Sequence, residues 1–359
     1  MALLLVALAW RPTAAQEPGD STGAQKRNGL VFIPVLYYSP ETKTAFGAAL
    51  QYYFRESGSA DDSRPSNLVP VLIYTQRNQI IAFLAADTYW KDETYRFEGY
   101  VGYSKFPDKF YGIGNDTPDD NEEDYTPKYA ELRFAAQRRL YSGLYLGLGY
   151  QLQDVEITEI DPDGLLAEGN ITGSDGGLSS GVSLLANWDT RDNLFLPGKG
   201  SFHQLNASFF GRTLGSDFTF SRYTLELRHY LTILPGQTLA LQALGSASTG
   251  EPPLNQLAKL GGEVLMRGYY DGRYRDKNVV VVQAEYRIIP AWRRLGLVGF
   301  LGFGDVADKI NAFKLSDFKY SVGGGLRFLL NRAEGITLRL DFGFGRGTSG
   351  MYITLGEAF

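Results

Sequence analysis

The chain has 359 residues, a net charge of −5, no cysteine and two histidines. The lack of cysteine excludes a disulfide framework, a thiolate site and a lipoprotein anchor, and two histidines argue against a histidine-rich metal centre. The negative charge excludes the basic surface of a nucleic-acid-binding protein. We therefore expect no nucleic-acid partner, no metal and no cofactor. The 42 glycines, 23 tyrosines and 22 phenylalanines suit close-packed strands with interfacial aromatic rings.

The chain begins with a segment typical of a signal peptide. Met1–Trp10 is apolar, and the segment up to Ala15 ends in the small residues that signal peptidase accepts. The usual positively charged start is missing, which leaves the true translation start open. We predict a signal peptide at 1–15 and a short periplasmic linker at 16–29, with no room for a folded domain. No later stretch approaches the roughly 18 uncharged apolar residues of a membrane-spanning helix, which excludes a helical membrane protein.

The rest of the chain consists of runs in which apolar and polar residues alternate, the pattern of a strand with two different faces. In 335–345, for example, one face is apolar and the other carries Arg339 and Asp341. Counting such runs gives 16 predicted strands, at 30–39, 43–54, 67–76, 79–90, 94–105, 128–140, 144–154, 178–188, 200–211, 217–231, 237–248, 278–289, 295–305, 318–330, 335–345 and 350–359.

Two properties of these runs favour a membrane barrel over a soluble sandwich. They last about 10–13 residues, longer than the usual strands of soluble sheets and suited to a tilted membrane-crossing strand. Their polar faces also carry charges that a dry sandwich core would not accept. An even number of strands returns both chain ends to the same side. The predicted fold is therefore all-β, a transmembrane antiparallel β-barrel of 16 strands spanning 30–359.

The connections divide into two kinds. Those after strands five, seven and eleven are long, at 106–127, 155–177 and 249–277, and are assigned to the outer side. Turns on the other side are short, as at 91–93 and 141–143, except for the connection at 55–66.

Two motifs lie in predicted connections. Loop six, after strand eleven, contains Gly261, Gly262, Met266, Arg267, Gly268 and Tyr269. The turn after strand eight contains Asp189, Arg191, Asp192, Asn193, Pro197, Gly198 and Gly200. With the segments 110–116 and 323–328, these motifs make the chain resemble the BamA/TamA family of outer-membrane barrels, the bacterial surface antigens, over essentially the whole mature chain. Members of that family recruit clients through periplasmic POTRA domains. The short linker before strand one leaves no room for them, so we expect a form without POTRA domains.

Arg267 sits in a glycine-flanked tip that can fold tightly back into the lumen. A guanidinium there needs carboxylates, and Glu285 and Asp341 are the lumen-facing acids on the following strands. We therefore predict that Arg267 contacts Glu285, Asp341 or both, with Tyr269 packed beside it. Two roles remain open for Arg267, pinning a lumen plug or acting directly in substrate insertion.

The resemblance also implies an acid on strand thirteen, in the family pattern FxDxG. This chain reads Phe300–Gly304 there with glycine at the acid position, and the nearby Asp305 falls on the other face.

Two further features have alternative interpretations. The turn motif is either functional or a periplasmic turn capped by its own side chains, with Pro197 and Gly198 setting its geometry. Phe359 is either a C-terminal targeting element read by the barrel assembly machinery or an ordinary interfacial aromatic, and Glu357 stands where an aromatic is common.

Other patterns point to no site. The acidic run at 116–124 lacks the register of a calcium-binding loop, so solvated charge is favoured. The glycine pattern at 343–347 is followed by no helix, so a dinucleotide loop is rejected. His203 and His229 are expected to face lipid at the periplasmic ends of strands nine and ten, as interfacial residues.

Three functions are weighed. The first is a barrel of the Gram-negative outer membrane that assists protein or lipid assembly; the family's insertases weaken the seam between their first and last strands so that a client strand can pair there. The second is a structural barrel or small passive pore. The third, a phospholipase, needs a Ser–His pair and is disfavoured, so we expect no enzyme. The expected partners are outer-membrane lipid, the barrel assembly machinery for its own insertion and a periplasmic or outer-membrane protein.

Overall fold

The computed structural model describes residues 28–57, 64–332 and 335–359. The predicted signal peptide and nearly all of the predicted linker lie outside the described residues, as does part of the 55–66 connection. The first strand begins at Asn28, two residues before its expected start. No helix in the part of the chain described is long and apolar enough to cross a bilayer.

Sixteen long antiparallel strands of the described chain form one closed barrel, which confirms the predicted fold and strand count. They are β1 Asn28–Ser39, β2 Lys43–Phe54, β3 Ser66–Thr75, β4 Ile80–Trp90, β5 Tyr95–Lys105, β6 Glu123–Tyr141, β7 Leu144–Ile160, β8 Gly176–Asp189, β9 Gly200–Phe210, β10 Phe220–Leu234, β11 Gln237–Gly250, β12 Asn278–Trp292, β13 Leu295–Ala307, β14 Lys319–Asn331, β15 Ile336–Gly345 and β16 Thr348–Leu355.

The alternation in the sequence places one face of each strand outside the barrel and the other in its lumen. In β13, the residues from Leu295 to Phe303 are alternately exposed and buried. Trp90, Trp188 and Trp292 lie on or near the barrel end where β1 begins and β16 ends, and each is about half exposed. We call this end the terminal rim and the opposite end the loop rim. The tryptophans form the aromatic girdle expected where a barrel meets a membrane surface.

The strand bounds differ from the predicted ones where strands rise beyond the barrel wall. β6 begins at Glu123 instead of 128, and β7 continues to Ile160 instead of 154. The two strands pair along this extension, up to Tyr125 opposite Ile160. Polar residues dominate this extension, so the apolar alternation that set the predicted bounds ends before the hydrogen-bonded ladder does.

The last predicted strand is too long. β16 ends at Leu355, and Gly356–Phe359 turn into the lumen. Arg287 Nη2 donates a hydrogen bond of 2.7 Å to the Phe359 carbonyl. The buried Phe359 ring packs with Tyr230 and Ala240. Phe359 therefore does not face outward as an interfacial aromatic would.

The lumen has two different walls. The inward faces of β1–β4 are largely apolar and form one cluster, which includes Ile33, Tyr37, Ile73 and Phe83. The inner-face charges expected along all strands are therefore concentrated elsewhere, above all on β12–β15. Buried arginines and acids lie there, including Glu285, Arg327 and Asp341.

Three loops cover the loop rim, as the lengths of the predicted connections indicate. They span 106–122, 161–175 and 251–277. A short strand, Asp108–Phe110, pairs with β6, and two others, Ala258–Leu260 and Tyr274–Asp276, pair within loop six. Loop six is joined to the first loop by a β-bridge between Gly114 and Arg275. An apolar cluster of Phe110, Tyr125, Leu166, Leu254 and Leu257 holds the three together.

The lumen loop and barrel seam as the candidate functional site

Loop six folds back from the loop rim into the lumen, and its glycines make the sharp turns there. Gly261 has φ of 123° and Gly268 has φ of 112°, a region that side-chain-bearing residues rarely adopt. A Cβ on Gly268 would lie 2.9 Å from the backbone of Gly343 and Phe344. A Cβ on Gly343 would in turn lie 2.5 Å from the Arg267 backbone, so this glycine of β15 allows the close approach.

Arg267 at the tip forms ion pairs with both acids that the sequence singled out. Its Nη2 donates to Glu285 Oε2 at 2.5 Å, and its Nη1 donates to Asp341 Oδ2. All three side chains are at most 1% exposed. The guanidinium also lies over the Phe300 ring, 3.5 Å from its centroid. Since the charges are paired and hydrogen-bonded, removing one partner would leave a buried charge uncompensated.

Two further arginines extend this ion network towards the terminal rim. Arg287 Nε donates to Glu285 at 2.7 Å, and Arg327 Nη1 donates to Asp341 at 2.5 Å. Arg327 Nε also donates to Glu357 at 2.7 Å. The tail of the chain is thereby linked to the tip of loop six.

The glycine at the acid position of strand thirteen has a structural consequence. A Cβ on Gly302 would meet the Met266 sulfur at 3.1 Å. The backbone N–H of Met266 donates to Gln283 Oε1 at 2.8 Å. The space that an acid would need is therefore filled by Met266. Asp305 is fully buried at the loop rim, where it accepts a hydrogen bond from Asn115 at 3.0 Å.

Tyr269 packs behind Arg267 and ties loop six to the last strands. Its hydroxyl donates to the Tyr320 carbonyl at 3.0 Å and accepts from the Arg346 N–H at 2.9 Å. Gly268 N–H donates to the Tyr352 hydroxyl of β16 at 3.0 Å. The loop is thus fixed to β14, β16 and the turn before β16.

Loop six also reaches the other side of the β1–β16 seam. Asp271 N–H donates to Glu41 Oε1 at 3.0 Å, and Glu41 lies in the turn between β1 and β2. Glu41 is buried, and burial together with the charge of Asp271 raises its pKa to about 7. Lys259 Nζ lies 3.9 Å from Asp271 and 3.5 Å from Asp108. Loop six therefore contacts elements on both sides of the seam.

The seam itself is weakly paired. Among the described residues, β1 and β16 share one antiparallel pair, Tyr38 opposite Ile353. By contrast, every residue of β1 pairs with β2, and every residue of β16 pairs with β15. Four residues further along this register, Pro34 would face Glu357, but Glu357 is turned into the lumen towards Arg327.

Loop six leaves part of the lumen empty. A cavity of about 740 Å³ runs between the loop and the walls β1–β10. Its apolar lining includes Tyr37, Ile73 and Phe83. Its polar lining includes ion pairs, such as Arg96 Nε to Asp87 at 2.8 Å, and neutral polar side chains.

The turn motif after β8 lies at the terminal rim and caps its own backbone. Asp189 accepts one hydrogen bond from the Arg191 N–H, at 3.2 Å, and two from the Arg191 guanidinium, at 2.9 and 2.8 Å. Asp192 accepts from the N–H groups of Gly198 and Lys199, and Asn193 accepts from those of Phe195 and Leu196. Pro197 follows these caps, and Gly200 has φ of 102° where the chain enters β9.

His203 and His229 lie on the neighbouring strands β9 and β10 near the terminal rim, facing outward. His203 stacks on Trp188 with ring centroids 5.4 Å apart. His229 Nδ1 lies 2.7 Å from Ser201 Oγ, a serine–histidine contact that sequence reasoning missed. Within the described parts of the chain, no third polar side chain hydrogen-bonds to His229, so the arrangement lacks the group that orients a catalytic histidine.

The acidic run at the loop rim is largely engaged in contacts. Asp119 accepts from Arg273 Nη2 at 2.5 Å, and Glu122 accepts from Lys109 and Tyr111. In 28–57, 64–332 and 335–359, no group of three acidic or histidine side chains is arranged to hold a metal ion.

Sequence reasoning missed several members of the site. Arg287 and Arg327 could have been found, because each lies on the same strand face as a predicted acid or motif residue. Glu41, Tyr352 and Glu357 carried no such signal, since their roles depend on where a turn and a tail fold in space.

Comparison with known proteins defines the family. The sequence profile of the Omp85 superfamily domain matches residues 64–359. No curated protein matches the chain significantly.

Among solved structures, BamA from Haemophilus ducreyi lacking POTRA domains 1–3 aligns with a TM-score of 0.62 and 13% identity, covering 92% of this chain and 70% of that one. CdiB from Escherichia coli aligns with a TM-score of 0.62 and 12% identity, covering 91% of this chain and 62% of that one. CdiB from Acinetobacter baumannii aligns with a TM-score of 0.59 and 12% identity, covering 92% of this chain and 60% of that one. The chain thus spans less than two thirds of either CdiB chain, and these likenesses show the fold. Because the family profile covers most of the chain, the protein belongs to the Omp85 superfamily.

Proposed function

We propose that this protein is an outer-membrane barrel of a Gram-negative bacterium that assists the assembly of outer-membrane proteins or lipids without enzymatic chemistry. The observation that carries the proposal is the seam, where β1 and β16 share one pair, Tyr38 with Ile353. The terminal rim is then periplasmic and the loop rim external. The long loops on the loop rim support this orientation, and the outward tryptophans and apolar outer faces support the membrane placement.

The physical argument starts from the cost of an unpaired strand edge. Backbone N–H and C=O groups that face hydrocarbon without partners cost several kcal/mol each. The half of β1 nearest the terminal rim has no partner on its seam side among the described residues, since Gly356–Phe359 turn inward. Pro34 lies in this part of β1, and proline cannot donate to a ladder and favours edge positions. An incoming strand would satisfy the exposed groups by pairing there.

The two walls of the lumen fit such a role. The apolar cluster on β1–β4 lies beside the seam and lines the cavity, whereas the wall next to β16 is fixed by the Arg267 network. A client segment that enters from the periplasm would meet an apolar surface on the side of the free edge. The client class is an unassembled outer-membrane strand, recognised by main-chain pairing.

The test is to lock the seam. Tyr38→Cys with Ile353→Cys places two thiols on directly opposed residues, within the Cα separation that a disulfide accepts. The chain has no cysteine that could compete. We expect the oxidised variant to fail to restore the outer-membrane proteome of a deletion strain, and a reductant to return its activity.

A matched pair controls for crosslinking itself. Ala186→Cys with Leu205→Cys joins opposed residues of β8 and β9, far from the seam, and should leave activity unchanged. Full activity of the locked seam would contradict the proposal. An unchanged proteome in the deletion strain, with altered solute uptake, would favour a passive pore instead.

A further inference from the structure

The loop between β13 and β14, residues 308–318, carries exposed apolar side chains that the lumen and the seam do not explain. Its two short 3-10 turns, Ile310–Ala312 and Leu315–Asp317, have no buried residue. Leu315 is 88% exposed and Ile310 is 70% exposed. Large aliphatic side chains this exposed carry an unfavourable contact with water, which burial would remove.

These side chains continue the outward apolar surface of the barrel. Phe303 of β13 lies opposite Tyr320 of β14, and both rings are about half exposed on the outside. Phe318 is two residues before Tyr320, so it follows on the same side of the chain. Its ring packs against Phe313, with centroids 6.3 Å apart. An apolar path thus leads from the barrel wall into the loop.

The loop also carries positive charge without internal partners. Among the described residues, neither Lys309 nor Lys314 forms an ion pair, whereas the loop's Asp308 lies 3.6 Å from Lys277. Asp317 accepts a hydrogen bond from Ser316. The groups left to interact outside the molecule are therefore the two ammonium groups, the exposed Asp317 carboxylate, which has no ion pair among the described residues, and the apolar side chains around them.

We propose that the β13–β14 loop lies in the headgroup layer of the membrane, with its apolar side chains against acyl chains and Lys309 and Lys314 on lipid phosphates. Apolar side chains flanked by lysines are the composition that anchors segments at a membrane surface. The occupant is an anionic lipid surface, because the apolar path starts on the wall that the proposed function places in lipid. The inference rests on that membrane placement and adds an anchor on one sector of the external rim.

Depth-dependent quenching tests the proposal on the full barrel in vesicles of phosphatidylethanolamine and phosphatidylglycerol. A fluorescent label is attached to Leu315→Cys, since the chain has no other cysteine. Lipids carry a nitroxide either at the headgroup or near the acyl-chain end. We expect the headgroup nitroxide to quench the label more strongly than the deep one, and aqueous iodide to quench it weakly.

Two control positions separate this inference from the proposed function. Leu148→Cys labels the outer face of β7, where Leu148 is 64% exposed, and should be quenched by the deep nitroxide. Asn170→Cys labels an exposed position in another loop of the same rim and should respond to iodide alone. If Leu315→Cys behaves like Asn170→Cys while Leu148→Cys is quenched, the anchor is refuted and the membrane barrel stands.

The remaining outcomes are equally decisive. A Leu315 label shielded from both iodide and nitroxide would show a protein covering the loop, such as a second copy, and would refute lipid as the occupant. An unquenched Leu148 label would refute the membrane placement and the anchor together.

The lysines are tested by lipid composition. Each lysine near an anionic surface changes the binding equilibrium roughly fivefold. Lys309→Ala with Lys314→Ala should therefore remove the stronger quenching in phosphatidylglycerol vesicles than in phosphatidylcholine vesicles. Lys309→Arg with Lys314→Arg keeps the charge and should retain the preference. Equal quenching of the alanine variant and the wild-type loop in both lipids would refute the phosphate contacts.

Discussion

Arg267 joins the tip of loop six to two strands of the barrel wall. It pairs with Glu285 on β12 and Asp341 on β15 from the tip of loop six. These acids also bind Arg287 and Arg327, so each carboxylate is shared between arginines. A buried carboxylate with two cationic donors has most of its hydrogen-bonding capacity filled. The tip is consequently fixed by charge as well as by packing.

Replacing Arg267 should loosen the folded barrel. Arg267→Ala leaves Glu285 and Asp341 short of one cation in a buried site, and breaking such a pair costs about 3–5 kcal/mol. We expect the folded form to convert to the unfolded form at a lower temperature, measured by the mobility shift of unboiled samples on gels. The exposed Arg212→Ala should leave this temperature unchanged, and an unaltered Arg267→Ala barrel would contradict the account of the loop.

At this scale, prediction from sequence succeeded where strand alternation fixed the direction of a side chain. Glu285 and Asp341 were assigned to the lumen by parity, and both contact Arg267 there. Phe359 could not be placed in this way. Its position depends on the hydrogen bond that Arg287 donates to the Phe359 carbonyl, and no local pattern encodes that contact.

Loop six is the element that joins the two sides of the seam. It binds Tyr352 of β16 through Gly268 and the β1–β2 turn through Asp271 and Glu41. The first contact is between a backbone N–H and a hydroxyl, which does not titrate in the physiological range. The second depends on a buried carboxyl group. The two attachments of the loop should therefore respond differently to pH.

Glu41 should make the folded barrel more stable in acid. Burial raises its pKa from 4.5 to about 7, so the protonated form is favoured in the folded protein. That stabilisation is fully present below about pH 4.5 and is lost as the pH rises through 7. We expect the midpoint of thermal unfolding to fall over this window, and Glu41→Gln to remove this part of the pH dependence.

The exposed acid Asp163 provides the matched control, since Asp163→Asn should retain the full pH dependence. A Glu41→Gln barrel whose unfolding midpoint varies with pH as steeply as that of wild type would argue against this assignment.

For whole elements, sequence periodicity located all 16 strands but misplaced several ends. The extension of β6 and β7 is stabilised by main-chain pairing and by contacts with the covering loops. Such pairing does not require alternating apolar residues. The inward turn after Leu355 was missed for the opposite reason, because Ala358 and Phe359 extended the predicted strand beyond the end of its ladder.

The complete barrel should be least protected at its seam. The seam-side amides of β1 near the terminal rim have no partner among the described residues, while the amides of β8 lie between two fully paired neighbours. We expect about half of the amides in 30–37 to exchange with deuterium much faster than those in 180–187, measured by mass spectrometry in nanodiscs. Equal protection of the two segments would show that β1 and β16 are hydrogen-bonded along their full length.

The closure of the barrel was predictable from strand number and length, but the weak pairing at its seam was not. The strength of the seam depends on how far the first and last strands overlap. That overlap is set by strand stagger around the whole barrel and by the inward turn of the tail. Neither quantity is visible in the residues of β1 or β16 alone.

The one-sided occupation of the lumen has a mechanical consequence. Loop six and its ion pairs connect to the wall from β12 to β16, whereas the wall from β1 to β10 borders the cavity and is held mainly by its own ladder. Lateral pressure from the surrounding bilayer would therefore flatten the unbraced half first and leave the braced half as a rigid arc. A barrel with one rigid wall and one deformable wall concentrates strain at the two boundaries between them. One of those boundaries is the β1–β16 seam.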